Sequence, residues 1–144
     1  MKGRNLLEKF FLSRNELAVL RILWDTKEPL SRPEILEKMP TSGWNAGSIH
    51  SILNNLIKHN YIHVAGSTRC GQRYGRTYSA SLTQEEYAAK LACNAFPDIP
   101  EEELMVGMMS AMVKNKGIRR ETIELLEKML EQHRKSINAD SKTE

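Results

Sequence analysis

Trp44-Asn45-Ala46-Gly47-Ser48-Ile49-His50-Ser51-Ile52-Leu53-Asn54-Asn55-Leu56-Ile57-Lys58 is the stretch on which the reading of this chain turns. Asn45 is a helix-capping residue type, and Trp44 and Ile49 are spaced to pack across the first turn as a hydrophobic staple. Ile49, Ile52, Leu53, Leu56 and Ile57 recur at helical spacing, which predicts a helix with one core-facing stripe. Its opposite face is Gly47, His50, Ser51, Asn54, Asn55 and Lys58, all small, hydroxyl, amide or basic. A solvated helix face ordinarily mixes Glu with Lys. A face without acids, made of side chains that hydrogen-bond base edges and phosphates, suits a nucleic-acid groove; a plain polar surface helix is the bland alternative.

The charge around this helix points the same way. From Lys38 to Gln84 there is no Asp or Glu, although the chain holds 18 in 144 residues. Even scatter would put roughly six in that window. Lys38, Lys58, Arg69, Arg73 and Arg76 make the window uniformly positive. Each carboxylate there would be repelled by a polyanion, and each cation displaces condensed counterions, so duplex nucleic acid is the expected partner. Residues 1–82 carry a net charge of +6 and residues 83–144 a net of −3. The division predicted is a DNA-binding domain over 1–82 and a helical dimerisation region over 83–144.

Upstream and downstream, capping patterns mark where helices begin. Leu12-Ser13-Arg14-Asn15-Glu16-Leu17, Leu30-Ser31-Arg32-Pro33-Glu34-Ile35 and Leu82-Thr83-Gln84-Glu85-Glu86-Tyr87 each place a hydroxyl cap three residues before a Glu, with apolar residues flanking. They predict helices over about 13–26, burying Leu17, Leu20, Leu23 and Trp24, over 31–39, ending before Pro40 and Gly43, and over 83–94. After the third helix, Tyr61-Ile62-His63-Val64-Ala65 and Arg76-Thr77-Tyr78-Ser79-Ala80 alternate as paired strands, with a loop rich in Gly and Arg between them. Three helices and a basic hairpin make a winged helix-turn-helix: a mainly α fold with a small β-hairpin wing and a C-terminal helical arm. In that arrangement the third helix enters the major groove and Arg69, Arg73 and Arg76 of the wing reach phosphates or the minor groove, with Arg32 as a further contact. A solvated hairpin edge protected by charge is the alternative for each wing arginine.

The last third of the chain reads as an arm. Pro97 and Pro100 force a break before Glu101-Glu102-Glu103 opens a helix. Met105, Met108, Met109 and Met112 then fall at helical spacing. A final helix after Gly117 spaces Ile123, Leu126, Leu130, His133 and Ile137 by threes and fours, with Leu125 and Met129 widening the stripe. Little chain remains to form a private core. Burial against a second subunit, with Met105, Met108, Met109, Met112, Ile123, Leu126 and Leu130 at the interface, is the expectation.

Other chemistry finds little support. There is no Gly-rich phosphate loop, His-Glu-x-x-His or cysteine cluster, so an enzyme is not expected. His50, His59 and His63 lack a carboxylate or thiol at ligand spacing, and neither metal nor cofactor is expected. Cys70, beside Arg69, leaves open a redox-responsive regulator, and Cys93 is expected to pack in a helix face. A winged helix that binds protein rather than DNA also stays open. Met1 leads into Leu6, Leu7, Phe10 and Phe11 among charges, and no run approaches membrane-spanning length, so a cytoplasmic, nucleoid-associated protein is expected.

Taken together, Leu12 to Trp24, Trp44, Leu53-Asn54-Asn55-Leu56, Gly75-Arg76-Thr77-Tyr78, Leu82 to Tyr87 and Ile123-Glu124-Leu125-Leu126 resemble the penicillinase-repressor family of winged-helix transcriptional repressors. The resemblance implies a homodimer that represses transcription from a palindromic operator. In its best-known members it also implies release through an antibiotic-sensing membrane metalloprotease, so a sensor protease system is an implied partner. Family members commonly carry Lys at the positions of Gly47 and His50 and Arg at that of Asn55, while Ser51 and Asn54 match. The wing here is longer by Ser67 to Tyr74. The family's Asn-Phe cleavage position falls near Ala111-Met112, where neither residue is present, and the paired cysteines of the copper-responsive relatives have no counterpart in Asn138 to Glu144.

Overall fold

The computed structural model describes residues 11–40 and 45–143. Leu6, Leu7, Phe10, Gly43 and Trp44, which the sequence reading uses, lie outside the described residues. The chain divides into two compact units, Met1–Pro97 and Asp98–Glu144.

In the first unit, α1 (Arg14–Thr26) starts where the capping pattern places it. Glu16 N–H donates to Ser13 Oγ and Ser13 N–H to Glu16 Oε1, both at 3.2 Å. Lys27 ends the helix in a left-handed conformation, its N–H on the Leu23 carbonyl. A two-residue strand, β1 (Leu30–Ser31), leads directly into α2 (Arg32–Lys38), whose Glu34 accepts from the Ser31 amide. Asn45 Oδ1 accepts from Gly47 N–H at 2.9 Å, and a single 3-10 turn, Ala46–Ser48, runs into α3 (Ile49–Lys58). Asn60, at positive φ, turns the chain into β2 (Ile62–Cys70), followed by β3 (Arg73–Ala80) and α4 (Gln84–Ala95).

The sheet is antiparallel in the order β1-β3-β2, with Leu30 opposite Tyr78 and Ile62 opposite Ala80. Two of its features depart from the sequence reading. The first strand, β1, is too short to show any alternation. The stretch predicted as a Gly- and Arg-rich loop is strand almost throughout, since pairing continues to Cys70 opposite Arg73 and only Gly71 and Gln72 turn. Gly71 has φ +66 and Gln72 does not share the left-handed conformation, as in a II′ hairpin turn that favours Gly first. Ala65 is a bulge between Val64 and Gly66, which increases the local twist of the projecting ribbon.

One core joins these elements: Val19, Leu20 and Leu23 of α1, Ile35 of α2, and Ile49, Ile52, Leu53 and Leu56 of α3, closed by Leu30 and Ile62. The predicted stripe of α3 is thus buried. The helix after Thr83 belongs to this unit. Tyr87 is buried 5.8 Å from the Trp24 ring and edge-on to Tyr61 at 5.9 Å, and Trp24 Nε1 donates to the Leu82 carbonyl at 2.8 Å. The compact unit reaches Pro97, and the contact of Tyr87 with Trp24 ties α4 to it. This winged-helix unit is mainly α with a small antiparallel sheet.

The second unit is a pair of helices, α5 (Glu101–Lys116) and α6 (Arg120–Asp140), joined by residues 117–119, with Gly117 capping α5 at φ +67. Neither helix buries a residue fully.

Candidate nucleic-acid interface

Everything on the polar side of α3 faces outward: Gly47, His50, Ser51, Asn54, Asn55 and Lys58 are all exposed, while the stripe behind them is buried. That follows from helical period alone, since an apolar set at 49, 52, 53 and 56 leaves 47, 50, 51, 54, 55 and 58 on the other side.

The fold then lays the wing beside this face. A groove of about 540 Å3 is lined by Arg32 and Pro33 of α2, His50 and Asn54 of α3, and Cys70, Arg73, Tyr74, Gly75, Arg76 and Tyr78 of the hairpin. Five predicted contact residues, Arg32, His50, Asn54, Arg73 and Arg76, come together here from three elements. Three arginines in one concave surface concentrate positive potential where a phosphate backbone would lie. No acid lines it.

Ser51 and Lys58 share the outward side of α3 without lining the groove, and Gly47 sits in the 3-10 turn that starts it. Arg69 bends back on the hairpin, its Nε donating to the Gly71 carbonyl at 3.2 Å. Arg32 Nη1 bonds His50 Nε2, linking α2 to α3. Asn55 points elsewhere: its Nδ2 donates to Glu16 Oε2 of α1 at 3.3 Å.

Two residues line the groove that the sequence reading did not assign to DNA contact. Tyr74 is 77% exposed on β3, an aromatic ring standing in solvent between Arg73 and Arg76. Its signal was its place in a run of arginines, hidden once that run was taken as loop. Cys70 also lines the groove, half-buried, at a point where a Cβ on residue 75 would stand 3.0 Å from its Sγ. Arg69, its sequence neighbour, is opposite Tyr74 in the ladder, whereas the cross-strand neighbour of Cys70 is Arg73. Among the described residues no group of three His, Cys, Asp or Glu is placed to hold a metal ion, and no helix is long and apolar enough to cross a membrane.

A model of the penicillinase repressor family matches residues 12–132. The chain belongs to that family. The match spans α1 through most of α6 and so includes both compact units. This is a family of transcriptional repressors, not of enzymes, which fits a winged helix whose most concentrated chemistry is a cationic groove. No curated protein matches the chain.

In the second unit the residues expected at a dimer interface are not buried by their own chain. Met105 and Met112 are more than 60% exposed, and Met108, Met109, Ile123 and Leu130 are exposed as well, with Leu126 intermediate. A cavity of about 700 Å3 at the α5–α6 turn is walled by Met109, Met112, Val113, Ile118 and Leu126, with Lys116 and Arg119 at its edge.

Proposed function

We propose that this repressor acts as a homodimer that binds duplex DNA sequence-specifically, α3 lying in the major groove and the β2–β3 hairpin against the neighbouring backbone or minor groove. The observation that carries this reading is the convergence of Arg32, His50, Asn54, Arg73 and Arg76 on one acid-free groove. Ser51 and Asn54 are the base readers, because short hydroxyl and amide side chains carry donors and acceptors matched to base edges. Arg73 and Arg76, with Lys58 and Arg69, meet phosphate, which supplies affinity without sequence information.

Dimerisation through the second unit is supported by the apolar face of α5 and α6. Soluble monomers rarely leave so many large apolar side chains together in water. The charges favour an antiparallel partner: Glu101, Glu102 and Glu103 open α5, while Lys114, Lys116, Arg119 and Arg120 gather at its other end. A two-fold axis near the middle of α5 sets each acidic end against the partner's basic end. A palindromic operator follows from that symmetry. Release by an environmental or antibiotic-linked signal in the cytoplasm completes the reading, with a sensor protease as candidate partner. Ala111-Met112, the pair at the family's cleavage position, lies inside α5.

The test is titration of the full chain into duplex DNA from upstream of its own gene at several salt concentrations. The expected logarithmic plot falls with a slope of about −0.9 for each phosphate neutralised. A flat response, or no binding at low salt, refutes the reading and favours a protein-binding winged helix.

A further inference from the structure

The two neighbouring amides of α3 are used differently. Adjacent residues of a helix point about 100° apart, so Asn54 and Asn55 present different sides of α3 to their surroundings. Asn54 lines the groove with Arg73 and Arg76, whereas Asn55 Nδ2 donates to Glu16 Oε2, 39 residues away on α1. Glu16 is itself fixed in place, since its other oxygen, Oε1, accepts from Ser13 N–H and its own N–H donates to Ser13 Oγ. The carboxylate therefore divides its oxygens between the cap of α1 and the side of α3.

We infer that Asn55 is a positioning residue that pins α3 to the capped end of α1 through Glu16, and that Asn54 alone of the pair reads DNA. The inference rests on the DNA-binding reading above. Bidentate recognition of adenine needs an asparagine to offer Nδ2 and Oδ1 together in the plane of the base. Turning Asn55 to do so breaks the bond to Glu16 and leaves a half-exposed carboxylate oxygen without its partner beside a phosphate-facing helix. Held as it is, Asn55 covers that oxygen and adds a polar tie to the buried stripe that orients α3, which decides where Ser51 and Asn54 meet the bases. A local acid is thereby built into the frame of an otherwise positive face.

The experiment compares the affinity of full-length variants for the preferred DNA sequence and for its single-base-pair changes. Asn55→Ala is expected to weaken binding to every sequence by the same factor, about fivefold, the worth of one hydrogen bond, with the order of preference intact. Asn54→Ala is expected to flatten the preference at one base pair by about tenfold or more. Glu16→Gln keeps an oxygen for the Ser13 amide and an amide for Asn55 Oδ1, so it is expected to bind within about twofold of the parent. Glu16→Ala combined with Asn55→Ala is expected to be no worse than the more damaging single change, as for two ends of one interaction. In the isotope-labelled free protein, Glu16→Gln is expected to move the Asn55 side-chain amide signal and leave that of Asn54 in place. A preference lost at one base pair in Asn55→Ala, or additive losses in the double variant, overturns the assignment and leaves the DNA reading standing. A parent protein that binds no DNA at low salt overturns both.

Discussion

Tyr61 shows how tightly the first unit is built at the level of single side chains. Its ring is buried, edge-on to Tyr87, with Lys90 Nζ 5.9 Å from the ring centre. Burial, then Tyr87 and then Glu16 raise its phenol above the ordinary 10.0, because the phenolate would be poorly hydrated and close to a carboxylate. A folded-state pKa above the unfolded one means the associated stability is fully present below about pH 10 and is lost as pH rises through the folded value. Phenolate absorbance should therefore show a tyrosine titrating above 10.0 in the parent protein and missing from Tyr61→Phe. An unchanged titration would place the shift elsewhere. The outward face of α3 was legible residue by residue, since helical period needs only the positions of Ile49, Ile52, Leu53 and Leu56. The partner of Asn55 was not, because nothing local in sequence links it to Glu16, which looked like a cap and also accepts from Asn55.

Among the elements, the helices were read from sequence and half of the wing was not. Ser13 and Thr83 cap as their spacing implies, each with both reciprocal bonds. Such caps are local chemistry, worth about 1 kcal/mol each, and local chemistry is what sequence displays. The outer hairpin carries Gly66, Gly71 and Gly75 among polar residues, so no apolar alternation announces it. It is strand because the backbone ladder continues from Ser67 opposite Arg76 to Cys70 opposite Arg73. Its projection past the core is what brings Arg73, Tyr74 and Arg76 alongside α3. Arg73→Ala and Arg76→Ala are expected to weaken specific and random DNA alike and to reduce the salt slope by about 1 each, whereas Ser51→Ala should lower discrimination by about 1–3 kcal/mol. Gel-shift titrations with matched and scrambled duplexes separate the two. Arginine changes that touched only the specific complex would reverse the roles of helix and wing.

For the molecule as a whole, the proposed function falls on two compact units. Met1–Pro97 has its own buried core and carries the groove, while Asp98–Glu144 presents Met105, Met108, Met109 and Met112 to solvent. Net charge does not mark where one compact unit gives way to the next, since the aromatic packing of Tyr87 on Trp24 is invisible to a charge count. A chain ending at Pro97 is expected to remain folded and become monomeric by light scattering, with much weaker DNA binding through loss of the linked second site. A full-length monomer, or a truncated dimer, would remove the dimer role from α5 and α6. The central claim, that paired copies of this groove hold one duplex, is tested most directly by a hydroxyl-radical footprint of the full-length protein on the DNA upstream of its gene. Two protected patches related by a dyad and separated by about one helical turn, or a multiple of it, are the predicted result. Uniform cleavage, or a single patch with no dyad-related mate, would contradict it.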